Sequence, residues 1–302
     1  MNYQPHSRIE SIAHALLRPM PVGGLYARTG LFETVIDGLN ALISRYRPAD
    51  AEVFKFPPVT SRTQVEKSGY LKSFPHLLGC VCCLEGTEQE VRAAVDTRSA
   101  DWSDALKATD LVLAPAACYP IYPMVAARGD VPHGGLRFDV SCDCFRHENT
   151  HELGRFQSFR MREYVCIGSP DEVMAFREHW KNRSLELIDR LALPHHLDTA
   201  SDPFFGRVGK VMAISQLNQE LKFELLIPIN SAENPTACMS FNYHQAHFGD
   251  TWGINTQAGG AAHTACVAFG MDRLALAVFA THGIELDTWP ASVREALGVS
   301  GT

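Results

Sequence analysis

One segment restricts this chain more than any other: Phe145–Glu163, which runs FRHE, a polar loop, then RFQSFRMRE. In an extended strand successive side chains alternate between faces. Arg146 and Glu148 therefore share a face with Cys142 and Cys144. On the returning segment Phe159, Met161 and Glu163 share one face, while Arg160 and Arg162 take the other. If the two segments pair as a hairpin, a cation, carboxylates and an aromatic ring meet on one side of a sheet. That set suits a nucleotide: a guanidinium for phosphate, a ring for the base to stack on, and a carboxylate for the base edge or a metal.

The remaining composition bounds the problem. A chain of 302 residues with 46% hydrophobic content can bury a sizeable core, as one large domain or two small ones. Its formal net charge of -7 counts against a long nucleic-acid footprint, though not against a local basic patch. The start, MNYQPHSRIESIAHALL, lacks the basic head and long apolar run of a signal peptide, and no apolar run is long enough to cross a membrane. Nine cysteines, an odd number without a secretion signal, point to reduced thiols and a cytoplasmic location.

Apolar spacing predicts helices over 7–18 and 31–46, the latter with Ile36, Leu39, Ile43 and Tyr46 in helical register. Val53 to Val59 reads as a strand ending in a Pro-Pro kink, and Cys80 to Leu84 as a short apolar strand whose Cys80, Cys82 and Cys83 belong to the core. Trp102 to Leu106 reads as part of a helix, Leu111 to Leu113 as a buried strand, and 114–135 as a loop. Ser169-Pro170-Asp171-Glu172 carries a capping box with proline in the first turn, starting a helix that reaches about Leu193. Ser201-Asp202-Pro203 marks a second start, for a segment running to about Gln219. Strands follow at Phe223–Ile229, Cys238–Tyr243 and Thr264–Phe269, and a final helix runs from Met271 to Thr281, closed by His282-Gly283. Strands joined by hairpins in the middle, with helices before and after, give an α+β fold with an antiparallel sheet flanked by helices. No GxxxxGKS/T and no strand-linked GxGxxG is present, so a nucleotide site here is neither a P-loop nor a Rossmann site.

A second arginine stands in CVAFGMDRLALAVF. Gly270 permits a tight strand-to-helix turn and Arg273 falls in the first helical turn, where backbone N–H groups already favour an anion. Together these segments resemble the catalytic core of class II aminoacyl-tRNA synthetases, most closely the seryl type. The helix at 31–46 with VFKFPPV resembles their first signature motif (about 31–59), which builds the dimer interface. The FRHE-loop-RFQSFRMRE hairpin resembles the second (about 138–168), and FGMDR the third (about 264–283), with its usual glycines thinned to Gly270. The resemblance covers roughly residues 25–285, with inserted helices at about 169–219, and implies one catalytic domain over 1–302. It also implies roles by position. Arg146 holds the α-phosphate of ATP, Glu148 sits at the adenine, and Phe159 stacks on the adenine with Arg273 on its other side near the γ-phosphate. ATP then enters with Mg²⁺.

The resemblance extends to a metal. Common seryl enzymes carry a Thr-x-Glu loop before the second motif; here LAPAACYPIYP puts Cys118 at the glutamate position. The rare zinc-containing seryl enzymes have a cysteine there, with the last glutamate of the second motif and a cysteine before the third as further ligands, which correspond to Glu163 and Cys266. Two thiolates and a carboxylate leave a fourth position of Zn²⁺ open, suited to the amino group of a small amino acid. Cys142 and Cys144 are expected to line the site, and the thirteen histidines show no HExxH or paired spacing.

Seryl enzymes grip tRNA with a long N-terminal coiled-coil arm, and too little chain lies outside residues 25–285 for one. Activation chemistry without a tRNA-reading part resembles the bacterial amino acid:carrier protein ligases. These make an aminoacyl-adenylate from a small amino acid, glycine or alanine, and pass it to the phosphopantetheine thiol of an acyl carrier protein. The segment PTACMSFNYHQAHFG resembles the same family and offers Thr236, Ser240 and Asn242 as substrate contacts. In that family an extra helix between the second and third motifs receives the acidic carrier; the candidate is 203–219, with Arg207 and Lys210 one helical turn apart. A homodimer is implied, with neither tRNA nor a membrane as partner. Two other readings stand beside this one. A tRNA-charging enzyme aided by a partner calls for a basic surface, and a non-catalytic amino-acid-binding paralogue calls for loss of Arg146, Glu148 or Arg273, all of which are present. Glycine, alanine and serine are not separable at this level.

Overall fold

A computed structural model describes residues 8–96, 101–148 and 152–299. Residue 7 of the first expected helix and residues 149–151 of the hairpin loop lie outside them. In chain order the elements are α1 (Arg8–Leu16), β1 (Leu17–Pro19), β2 (Tyr26–Arg28), α2 (Gly30–Tyr46), β3 (Glu52–Lys55), β4 (Val59–Ser61), α3 (Arg62–Lys67), α4 (Tyr70–Ser73), β5 (Cys80–Leu84), α5 (Glu88–Asp96), β6 (Leu106–Leu113) and α6 (Ile121–Ala126). There follow β7 (Leu136–Phe145), β8 (Ser158–Gly168), α7 (Pro170–Arg190), β9 (His196–Thr199), α8 (Gly206–Asn218), β10 (Lys222–Ile227), β11 (Thr236–Gln245), α9 (His247–Trp252), β12 (His263–Gly270), α10 (Met271–His282) and α11 (Ala291–Leu297).

A seven-stranded sheet in the order β3-β7-β8-β12-β11-β10-β9 carries the molecule. Its pairings are antiparallel except that β3 lies parallel to β7. One face is sealed by helices. α2 starts at Thr29, whose side chain accepts from the Phe32 N–H, and buries Phe32, Val35, Ile36, Leu39, Leu42 and Ile43 at helical spacing. α7 starts on the expected capping box, with Ser169 and Glu172 each bonded to the other's backbone N–H. Their apolar faces and that of α10 meet Tyr164, Leu225, Met239, Phe241, Val267 and Phe269 from the sheet. On the opposite face Phe138, Val140, Cys142, Cys144, Val165 and Ile167 pack against α6 and Phe248 of α9. This second cover is partial, and the site opens beside it.

Several expectations change. The run Val53–Val59 is two strands, because Pro57 and Pro58 separate β3 from β4, which joins β6 and β5 in a second sheet. The expected loop at 114–135 contains α6, because Pro120 caps that helix and Pro123 lies in its first turn, where the missing N–H costs nothing. Cys80, Cys82 and Cys83 are not core. They are exposed, because β5 is the edge strand of the small sheet and an apolar run signals a strand without fixing its depth. Leu111 is likewise exposed and only Val112 of that trio is buried. Residues 102–105 form a single 3-10 turn.

The side chains facing away from the site lock the hairpin. Arg162 makes a two-point bond to Asp139 on β7 (Nε–Oδ1 2.8 Å, Nη2–Oδ2 2.6 Å) and also donates to Asn40 O and Ser44 Oγ of α2. Both partners are buried, so removing one strands the other charge. Arg162→Met is therefore expected to lower unfolding stability by about 3–5 kcal/mol, measured by urea denaturation. A loss below about 1 kcal/mol would mean the pair does not hold the hairpin to α2.

Candidate active site

The pairing of β7 with β8 sets the site. Cys144 lies opposite Phe159, Cys142 opposite Met161 and Val140 opposite Glu163. β12 then pairs with the other edge of β8, placing Ala268 opposite Glu163. Phe159, Met161 and Glu163 share the open face, as their alternation predicts, while Arg160 and Arg162 point to the helical layer. Two connected hollows result, sharing Arg146, Met161, Gly270 and Arg273 in their walls: a cavity of about 510 Å³ and a smaller one of about 60 Å³.

The smaller hollow is lined by Arg146, Glu148, Phe156, Phe159 and Arg273 among others. The Arg146 guanidinium carbon sits 5.3 Å from the Phe159 ring centroid. Gly270 lets α10 begin close to β11: a Cβ there would come 3.2 Å from Cys238 O, a tight contact that the neighbouring strand would have to relieve by a small shift. The arginines around the hairpin divide by partner. Arg28, Arg160 and Arg162 are each bonded to carboxylates. Arg146 donates its Nε to Pro115 O, and Arg273 donates Nε to Gly154 O and Nη1 to Ala237 O; these contacts are backbone carbonyls. Burial pushes the Arg273 guanidinium below its usual value. A half-buried guanidinium held by carbonyls, with no bonded carboxylate among the described residues, is prepared for an anionic ligand.

Asp272, which the sequence reading passed over, fixes this arrangement. Its carboxylate is buried and accepts from Arg28 Nε (2.6 Å), Arg160 N (2.6 Å) and Arg160 Nη2 (2.9 Å). The first turn of α10, which carries Arg273, is thereby tied to the backbone beside Phe159. Arg28 adds a bond to Ser158 O, and Gln157 bonds Gly23 and Gly24 of the β1–β2 turn. Glu148 contacts Arg155 at 3.4 Å.

In the larger cavity Cys118, Glu163 and Cys266 converge from the segment before α6, from β8 and from β12. All three are buried, with ligand atoms within 4.8 Å of one another. Glu163 Oε1 accepts from the N–H groups of Ala117 (2.8 Å) and Cys118 (3.1 Å). Asn242 Nδ2 donates to Cys266 Sγ at 3.4 Å. The Cys118 thiol is pushed well up by its hydrogen bond to Cys266, by burial and by Glu163, and burial and Glu163 also raise Cys266 against the opposing hydrogen bond from Cys118. Acidic donors crowded in a dry site repel one another as anions, and a divalent cation relieves that repulsion. The donor set thus fits a metal ion, and two sulfurs with a carboxylate are zinc-type ligands. Burial brings neighbouring His244 down to about 4, so its ring is neutral, with Nε2 3.9 Å from Cys266 Sγ.

The other expected residues divide. Ser240 and Asn242 line the cavity, but Thr236 does not. A bulge in β11 shifts the register between Leu225 and Leu226, so Thr236 pairs with core-facing Ile227 and joins the buried face with Met239. Cys142 and Cys144 lie beneath the cavity, packed in the second core cluster, and do not line it. The helix expected over 203–219 begins at Gly206, and Asp202 does not cap it; its side chain turns into the cavity toward Lys222. Arg207 and Lys210 lie on α8, whose Val208, Val211 and Ile214 are 70%, 66% and 58% exposed. Lys222 and Glu224 also line the cavity. Their period-two spacing on β10, alternating with apolar Phe223 and Leu225, was the available signal.

No protein-family model matches the chain. It is 59% identical over 293 residues to amino acid–acyl-carrier-protein ligase 1 of Bradyrhizobium diazoefficiens, spanning 96% of this chain and 90% of that protein. Ligase 2 of the same organism is 56% identical over 300 residues, spanning 99% and 90%. Among solved structures, the M. kandleri SerRS complex with A. aeolicus tRNASec superposes with a TM-score of 0.79 at 20% identity, covering 97% of this chain and 60% of that one. That likeness assigns the fold as the class II synthetase core, an antiparallel sheet flanked by helices. The chain belongs to the amino acid–acyl-carrier-protein ligase family.

Proposed function

We propose that this protein activates a small amino acid with ATP and transfers it to the phosphopantetheine thiol of an acyl carrier protein. The observation that carries the reading is the junction of two sites. Two half-buried arginines bonded to backbone carbonyls open onto the same space as the Cys118–Glu163–Cys266 cluster. Glycine and alanine are the amino acids favoured. In the first step the carboxylate attacks the α-phosphorus of Mg²⁺-bound ATP. Arg146 stabilises the charge that builds there, Arg273 holds the outer phosphates, and Phe159 and Glu148 position the adenine as pyrophosphate leaves. Zinc, when held by Cys118, Glu163 and Cys266, supplies an open coordination position for the amino group. In the second step the carrier thiol attacks the adenylate carbonyl and AMP departs. No protein nucleophile is needed.

The outer face of α8 supports docking of the carrier. Exposed Val208, Val211 and Ile214 form an apolar stripe, and Arg207 and Lys210 are placed to meet an acidic partner. Ser240 and Asn242, beside Cys266, are the proposed amino-acid contacts. A homodimer through α2 and the β3 edge, where Val53 is exposed, completes the reading. No described helix is long and apolar enough to cross a membrane.

ATP–pyrophosphate exchange across a panel of small amino acids, followed by transfer to a phosphopantetheinylated carrier protein, tests the proposal. Exchange with glycine or alanine and thioester formation are expected; no exchange with any amino acid, or efficient charging of tRNA, would contradict it. Cys118→Ala and Cys266→Ala should each lower zinc content by at least about tenfold in elemental analysis. Because the metal must displace protons from two raised thiols, zinc occupancy of the parent protein should fall as pH is lowered, read by dialysis against a chelator. Unchanged zinc in both variants would remove the ligand assignment. Val211→Glu should reduce transfer to the carrier by about tenfold or more while leaving exchange intact. Equal loss in both assays would show that α8 does not serve docking.

A further inference from the structure

On the β10 wall of the large cavity lies a charged group that the proposed activation step and metal binding leave unused. Lys222, only 8% exposed, bonds Asp202 Oδ1 at 2.6 Å and Glu224 Oε1 at 2.9 Å. Asp202 is itself clamped by Gln216 of α8. Its N–H donates to Gln216 Oε1 (2.7 Å) and its Oδ2 accepts from Gln216 Nε2 (2.9 Å). All four residues line the cavity.

The sheet register places this group beside the metal cluster. Lys222 lies opposite Asn242, which lies opposite Cys266; Glu224 lies opposite Ser240, then Ala268, then Glu163. With neighbouring strands about 4.8 Å apart, the β10 residues stand about 10 Å from β12 in the backbone, and their side chains narrow that gap. One row of small polar residues, Ser240 and Asn242, lies between. Among the described residues, lysine and arginine reach the cavity wall at three places, Arg146, Arg273 and Lys222. The first two are assigned to phosphate. Lys222 is left, and an ammonium bonded to two carboxylates retains a third N–H.

The remaining reactant is the acceptor thiol. A free thiol is largely protonated near neutrality, and the thiolate is the nucleophile. An amino acid whose amino group is at Cys118, Glu163 and Cys266, and whose carboxylate is directed to Arg146, leaves the β10 side of its carbonyl open. We propose that the Glu224–Lys222 pair serves the thiol-transfer step: Glu224 takes the proton of the acceptor thiol, and Lys222 stabilises the thiolate that results. This rests on the proposed function and deepens its second step. The S–H proton passes to the Glu224 carboxylate, and the Lys222 N–H that bonded Glu224 turns to sulfur. The C–S bond forms, and the carbonyl C–O bond to phosphate breaks, with its electron pair leaving on AMP. Protons and charge balance within the group, and no oxidant or further reactant is required. Asp202 is a positioning residue, keeping Lys222 charged and seated while Gln216 ties it to α8.

The test compares two captures of one adenylate, by free pantetheine and by hydroxylamine, which attacks as a neutral amine and needs no prior loss of a proton. The ratio of thioester to hydroxamate is measured for the parent enzyme, Glu224→Gln and Lys222→Met. A fall in that ratio of about tenfold or more in Glu224→Gln is expected, with Lys222→Met changing in the same direction. A smaller change in Glu224→Gln overturns the proposal. Lys222→Met leaves two carboxylates without their cation and loses stability, so the isosteric Glu224→Gln decides. If the parent enzyme forms no hydroxamate with any amino acid, it is the activation reading that fails, a result distinct from an unchanged ratio.

Discussion

The β7–β8–β12 register governs everything else. Side chains alternate with a period of two, so slipping β8 by one residue would send Phe159, Met161 and Glu163 into the helical layer and bring Arg160 and Arg162 into the cavity. The register is fixed from the side away from the site. Arg162 is bound to Asp139 and to α2, and Arg160 to Asp272 at the head of α10. Buried pairs of this kind contribute little as net attraction, but leaving one charge unpaired is costly. They therefore penalise wrong registers more than they stabilise the right one.

The hydrogen-bond partners separate arginines paired with carboxylates from the two proposed to bind phosphate. A guanidinium bonded to a buried carboxylate has its charge already balanced and some of its five N–H groups already engaged, so it attracts phosphate less. Arg146 and Arg273 are held instead by carbonyls of Pro115, Gly154 and Ala237. The same open face then offers acidic donors at Cys118, Glu163 and Cys266, a few residues from those cations. A cation-seeking cluster and an anion-seeking pair share one space, which suits a zwitterionic amino acid lying between a metal and a triphosphate.

Much of this was legible in the sequence, because the informative patterns were local. Alternation in RFQSFRMRE placed Phe159 and Glu163 on the open face, and the capping box at Ser169 located α7; the alternation expected through FRHE stops at Phe145, where β7 ends. The losses have physical causes. Thr236, taken with Ser240 and Asn242 from the resemblance, does not line the cavity, because a bulge in β11 breaks the period of two and turns it to the buried face. α6 was missed because its prolines sit in the first turn, where they are compatible with a helix. The depth of Cys80, Cys82 and Cys83 depends on which sheet edge β5 occupies, and that is decided by pairing over long range. Asp272 escaped notice because its partners Arg28 and Arg160 lie far away in the chain, and the Lys222–Glu224 pair because its meeting with Asp202 is made by folding and not by local spacing. The Cys118–Glu163–Cys266 cluster was reached only through resemblance, since its residues lie far apart and no spacing links them.

X-ray absorption at the zinc K edge, on the purified protein before and after addition of glycine, tests most directly whether Cys118, Glu163 and Cys266 form an amino-acid-binding metal centre. The expected spectrum has two sulfur neighbours at about 2.3 Å and lighter atoms at about 2.0–2.2 Å, with the light-atom shell changing when glycine is added. Absence of zinc, a sulfur count other than two, or a spectrum indifferent to glycine would contradict it.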